Sequence, residues 1–113
     1  MTDTIFSKII ARQIPADIVY EDDLCLAFRD VNPQAPVHIL VVPKNPIPMV
    51  ADAKDSDKDI LGHLLITAAK IADQEGYGDA FRLVINNGEK AGQTVFHLHV
   101  HILAGRNFTW PPG

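Results

Sequence analysis

The chain has 113 residues, 47% of them apolar, and a formal net charge of −4 at pH 7. That is the size of one domain with a modest core, and the acidity speaks against a nucleic-acid scaffold, which carries a basic face. The lone cysteine, Cys25, excludes an internal disulfide and favours a reducing, cytoplasmic setting.

The N-terminus, Met1-Thr2-Asp3-Thr4, lacks the basic segment and apolar stretch of a signal peptide. No apolar run approaches the roughly 18 residues that cross a bilayer. Thr2–Ala11 is predicted as a short helix, because Ile5, Phe6, Ile9 and Ile10 recur at helical spacing, and Pro15 is expected to close it. Ile18–Tyr20 and Leu24–Phe28 read as two strands of a hairpin around the polar turn Glu21-Asp22-Asp23. Within the second, Cys25 reads as a small core residue. Asp30–Pro36 is a loop, His38–Val42 a strand, and the three prolines of Pro43–Ala53 forbid regular helix. A long helix opens at Ser56, where Ser56 and Asp59 resemble a capping box. Its apolar stripe is Ile60, Leu61, Leu64, Leu65, Ala68, Ile71 and Ala72, and Gly76 ends it. Phe81–Ile85 and Val95–Leu103 are the last two strands, joined by the glycine-containing loop Asn86–Thr94; the tail Arg106–Gly113 is irregular. Short connections among the first three strands, and between the last two, suggest antiparallel pairing. The result is an α+β fold: a five-stranded antiparallel sheet, one short helix and one long helix packed on a face.

The segment His97-Leu98-His99-Val100-His101 is the strongest chemical signal. In a strand, alternate side chains share a face, so the three imidazoles would line one rail about 7 Å apart while Leu98 and Val100 enter the core. Three histidines on one rail suit an exposed polar strand, a zinc or copper site, or acid–base and nucleophilic catalysis. The lack of a nearby carboxylate or thiolate weakens the metal reading, and catalysis is favoured. Imidazole titrates near pH 6.5, and neighbouring rings discourage one another from charging together. One ring can then attack while another holds a proton.

Other residues take meaning from that neighbour. His38 opens the third strand and gains weight if that strand lies beside His97–His101. His63, in the long helix, reads as a surface or packing residue. In the loop before the histidines, Gly88 and Gly92 allow close backbone approach, and Asn86, Gln93 and Thr94 offer uncharged hydrogen bonds to phosphate; the plain alternative is a hairpin loop. Asp30 is either a turn former or an acceptor for ribose hydroxyls.

His97-Leu98-His99-Val100-His101-Ile102-Leu103 resembles the signature of the histidine triad superfamily, with histidines alternating with apolar residues. Asp3–Ile10 is similar to the family's opening helix, Cys25–His38 to its second-strand block, and Gly92–Phe96 to the approach to the triad. The ending Trp110-Pro111-Pro112-Gly113 resembles the Hint branch, the histidine triad nucleotide-binding proteins, more than the dinucleoside-polyphosphate hydrolases.

The resemblance implies one such domain over residues 1–113, and a homodimer with the sheet continued across it. It implies hydrolysis of purine nucleoside phosphoramidates and acyl-adenylates, with no nucleic acid or membrane as partner. His99 would be the nucleophile on the α-phosphorus and His101 would assist the leaving group, while His97 and His38 complete the cluster. Asp30 would hold the ribose hydroxyls. Ile5, Phe6, Ile9, Phe28 and Val31 would line the base pocket, and Asn86, Gly92, Gln93 and Thr94 the phosphate site. Trp110 would reach the partner subunit's site. Many members carry a histidine after the pair Pro43-Lys44, where this chain has Asn45, which puts an extra zinc site there in doubt. Ala104 replaces a common glycine and Thr94 a common serine, without loss of a needed group. No metal or cofactor is expected. The alternatives are a dinucleoside-polyphosphate hydrolase and a non-catalytic nucleotide-binding adaptor.

Overall fold

The structure, a computed structural model, describes residues 3–113. Helix α1 spans Ile5–Ile10; Thr2, the predicted start, lies outside the described residues. Thr4 caps it: the Thr4 hydroxyl accepts from Ser7 N at 3.1 Å and the Ser7 hydroxyl accepts from Thr4 N at 2.8 Å, a reciprocal pair that satisfies two orphan amides. The helix ends at its predicted limit, Ala11, but Arg12, left-handed at φ 61°, stops it before Pro15 is reached.

Strands β1 (Ile18–Glu21), β2 (Cys25–Arg29), β3 (Val37–Pro43), β4 (Arg82–Val84) and β5 (Val100–Ala104) form one sheet in the order β1-β2-β3-β5-β4. Every pairing is antiparallel, as expected. Leu24 falls in the turn before β2, where Asp22 Oδ1 accepts from the amides of Leu24 and Cys25 at 2.8 Å each. Helix α2 (Lys58–Gln74) starts two residues after the predicted Ser56, behind a tight turn at Asp55–Asp57. Asp57 Oδ2 takes the Lys54 amide there at 2.8 Å, in place of the Ser56–Asp59 box. Gly76, at φ 92°, follows the last turn as expected. Leu65 is exposed and Thr67 buried, which corrects the predicted stripe. With about 100° per residue, Leu65 points away from the Leu64 direction, whereas Thr67 returns to it.

The sheet is covered on both sides, rather than by a helix on one face. Val37, Ile39, Val41, Val100, Ile102 and Leu98 pack with Leu64, Ala68 and Ile71 of α2. On the other face Phe6 and Ile9 of α1 pack on Leu26, Phe28, Leu40 and Val42. All seven residues of β3 are therefore buried.

The largest departure concerns β5, predicted from Val95 and observed from Val100. The pairing of Val41 with Val100 would set Leu98 opposite Pro43, which has no amide to donate. The ladder stops there. Residues 97–99 are instead pinned by the Pro43–Ile47 segment: Leu98 N donates to Ile47 O at 2.7 Å, and His97 Nε2 donates to Pro43 O at 2.7 Å.

Candidate active site

Beside α1, on the face away from α2, lies a cleft of about 320 Å³, the size of a small-ligand site. Ile5, Phe6 and Ile9 contribute one wall, Phe28, Asp30 and Val31 another, and Thr94, His99 and His101 also line it. Phe6 meets Phe28 edge to face at 5.3 Å between ring centres and meets the His99 ring at 4.9 Å. The cleft thus joins an aromatic, apolar floor to two imidazoles and one carboxylate.

Hydrogen bonds fix the proton on each ring. His99 Nδ1 donates to its neighbour's carbonyl, His97 O, at 2.8 Å. A carbonyl only accepts, so Nδ1 carries the proton and Nε2 keeps a free lone pair. His38 Nδ1 accepts from Gln34 N at 3.0 Å, so its proton is on Nε2. That nitrogen lies 2.9 Å from His101 Nδ1 and 3.4 Å from Asp30 Oδ2. His101 Nδ1 therefore accepts, and its own proton sits on Nε2. A chain of backbone and imidazole groups thus leaves a lone pair on His99 and an N–H on His101, with ring centres 4.9 Å apart.

All four rings are held below the ordinary histidine value, with burial the first cause in each. The shift is largest for His101, lowered to about 4 by burial and then by the neighbouring His99 and His38 rings; Asp30 opposes it. Burial likewise pushes the Cys25 thiol up to about 12, which agrees with a core residue and not a nucleophile.

Two expectations change. His97 faces the α1 side with its neighbours, its ring 6.2 Å from that of Phe6, but it is buried, tied to Pro43 O and absent from the cleft wall. The reason is the early end of β5, where the segment bonds to Pro43 O and Ile47 O instead of continuing the ladder. What His97 contributes to His99 is its carbonyl. Gln93, expected at the phosphate, is buried with its side chain spent: Oε1 accepts from Gly88 N at 2.8 Å, and Nε2 donates to Pro48 O at 2.7 Å and Val95 O at 3.0 Å. It shapes the loop. Trp110, expected at the partner subunit's site, is exposed on this chain. Asn86 and Gly92 lie beside one another in the loop leading to Thr94; a Cβ on Gly92 would sit 3.7 Å from Asn86 Nδ2. Ile14, Pro15 and Leu40 line the cleft without having been foreseen. Leu40 was legible, two residues from His38 on one strand face. Pro15, predicted as a helix stop, serves as a cleft wall. The Gln34 amide and the Pro43 carbonyl left no trace in residue type.

The HIT domain family matches residues 11–108. A HIT-like protein of Synechocystis sp. is 68% identical over 98% of this chain and 97% of its own length. The 14 kDa zinc-binding protein of Brassica juncea is 52% identical over 98% of this chain and 100% of its own. The crystal structure of a HIT family hydrolase from Legionella pneumophila superposes with a TM-score of 0.96 at 46% identity, covering 98% of this chain and 100% of that one.

Proposed function

This chain belongs to the HIT domain family and has the fold of a HIT family hydrolase; on that premise we propose that it is a purine nucleoside phosphoramidase acting through a nucleotidyl-histidine intermediate. The observation that carries this reading is the free Nε2 lone pair of His99, oriented by His97 O, in a cleft with an aromatic floor. A purine stacks between apolar side chains at Ile5, Phe6, Ile9, Phe28 and Val31. Asp30 accepts the ribose hydroxyls, and the backbone of the loop from Asn86 through Gly92 to Thr94 holds the phosphate.

In the first step His99 Nε2 attacks the α-phosphorus and the P–N bond to the amine breaks. The bound phosphoryl anion raises the affinity of His101 for a proton, which passes from Nε2 to the departing amine. Water then attacks the phosphorus while His101 Nε2 takes its proton back from it, the P–N bond to His99 breaks, and the nucleoside monophosphate leaves. No step uses a metal.

The test is turnover of an adenosine 5′-phosphoramidate of an arylalkyl amine, with rapid quenching and mass detection of a nucleotidyl adduct on His99. His99→Ala is expected to lose at least about 10³-fold in turnover while still binding adenosine monophosphate; full turnover in that variant overturns the assignment. Faster cleavage of a diadenosine polyphosphate would favour the sister activity, and binding without turnover an adaptor. A metal-dependent role is the rival suggested by the zinc-binding name of the Brassica juncea relative; undiminished turnover in strong chelator is expected and separates the two.

A further inference from the structure

Away from the cleft, on the α2 side of the sheet, three metal-ligating side chains converge that the catalytic reading leaves unused. Asp22 comes from the β1–β2 turn, Cys25 from the start of β2 and His63 from α2. One donor atom of each lies within 4.8 Å of the other two, and His63 Nε2 is 2.7 Å from Asp22 Oδ2. His63 lies 38 positions beyond Cys25 in sequence, so the fold brings it to the other two.

We propose that Asp22, Cys25 and His63 form a structural zinc site, with water as the fourth ligand. Thiolate, imidazole and carboxylate are the donors zinc selects. Metal–donor bonds of about 2.0–2.3 Å separate tetrahedral neighbours by roughly 3.3–3.7 Å. The Asp22–His63 pair must open slightly and surrender the proton it shares, the Cys25 thiol must release its own proton to solvent, and the ion takes the place of both. The rest of the Asp22 carboxylate is already oriented. Oδ1 accepts two backbone amides, which leaves Oδ2 directed at His63, and the Tyr20 hydroxyl donates to Oδ2 at 2.9 Å as outer support. The side chains of His63 and Asp22 are 32% and 25% exposed, so an ion and its water reach the site from solvent while Cys25 anchors it from below. Bound metal would join the turn, the sheet and the long helix, and so act on stability rather than on turnover.

Cobalt(II) makes the site visible, because a thiolate ligand adds an intense near-ultraviolet charge-transfer band. Cys25 is the only cysteine, so that band reports this cluster alone, and a metal held by Asp30, His38 and His101 would not produce it. With one equivalent of cobalt the band is expected in the wild-type chain, and excess zinc should abolish it and raise Tm by several degrees. His63→Gln should weaken metal binding at least tenfold, keep the fold by circular dichroism and leave phosphoramidate turnover unchanged; Cys25→Ala should remove the band. A folded wild-type chain with no band, or a band of full strength in His63→Gln, overturns the proposal. Because turnover is read separately, failure of the zinc site and failure of the catalytic reading remain distinguishable.

Discussion

At the scale of the residue, the site works by proton placement. His99 and His101 are chemically identical side chains, two positions apart, yet one presents a lone pair and the other an N–H. The difference comes from a single backbone carbonyl on one side and the Gln34–His38 relay on the other. Burial holds His99 below the usual histidine value, so the neutral nucleophile persists to more acidic pH than a free imidazole would. The sign follows: the acid limb of kcat/KM, which reports the free enzyme, should lie below pH 6.5. In the complex the phosphoryl anion favours the protonated rings, so the acid limb of kcat should lie above that of kcat/KM. Stopped turnover assays across pH 4–8 with a substrate that does not titrate in this window would measure both. A kcat/KM limb at or above pH 6.5, or a kcat limb below it, contradicts this account.

At the scale of the element, the same logic shows what residue patterns foretell. Period-two alternation announced that Leu98, Val100 and Ile102 enter one core, and they do. It could not announce where the ladder stops, because that depends on Pro43 in a partner strand whose register was unknown. For the same reason the partnership of His38 and His101 was conditional in the sequence and definite once β3 lay beside β5. Local chemistry was legible at Gly76 and Thr94, whereas the Gln93 network, which reaches back to Pro48, was not. The loop before β5 illustrates both. Its turn needs Gly88 at φ 91°, ψ 158° and Gly92 at φ 101°, ψ 8°. A Cβ on Gly92 meets nothing closer than 3.7 Å, so the cost of Gly92→Ala is backbone strain of about 1–2 kcal/mol. Gly88 occupies a region reserved for glycine, so Gly88→Ala should cost more, up to about 3 kcal/mol. Thermal unfolding should rank the two in that order. Both should also raise KM for the phosphoramidate by moving Thr94. Equal, wild-type Tm values would show that the loop is not held in this conformation.

At the scale of the whole molecule, the sheet has two edges, β1 and β4. β4 is three residues long and carries free backbone groups on its outer side, the kind of edge that proteins pair or protect. Ile85, just past its end, is 38% exposed. The tail is fastened to the same strand: Arg82 Nη2 donates to Thr109 O at 2.9 Å, and the Phe108 ring lies under the guanidinium groups of Arg82 and Arg106 at 5.1 and 4.3 Å. Trp110, 83% exposed, therefore leaves the body of the chain at the edge where a second sheet would join. Were the sheet to continue through β4, it would form the homodimer that the sequence resemblance implies and would deliver each Trp110 toward the neighbouring subunit. Light scattering should accordingly find a dimer in solution. Ile85→Lys, which sets a charge beside that edge without touching the core, should convert it to monomer, and Trp110→Ala should leave the dimer intact while changing the preference among amine leaving groups. A wild-type monomer that retains full turnover would remove any part for the second subunit in the site.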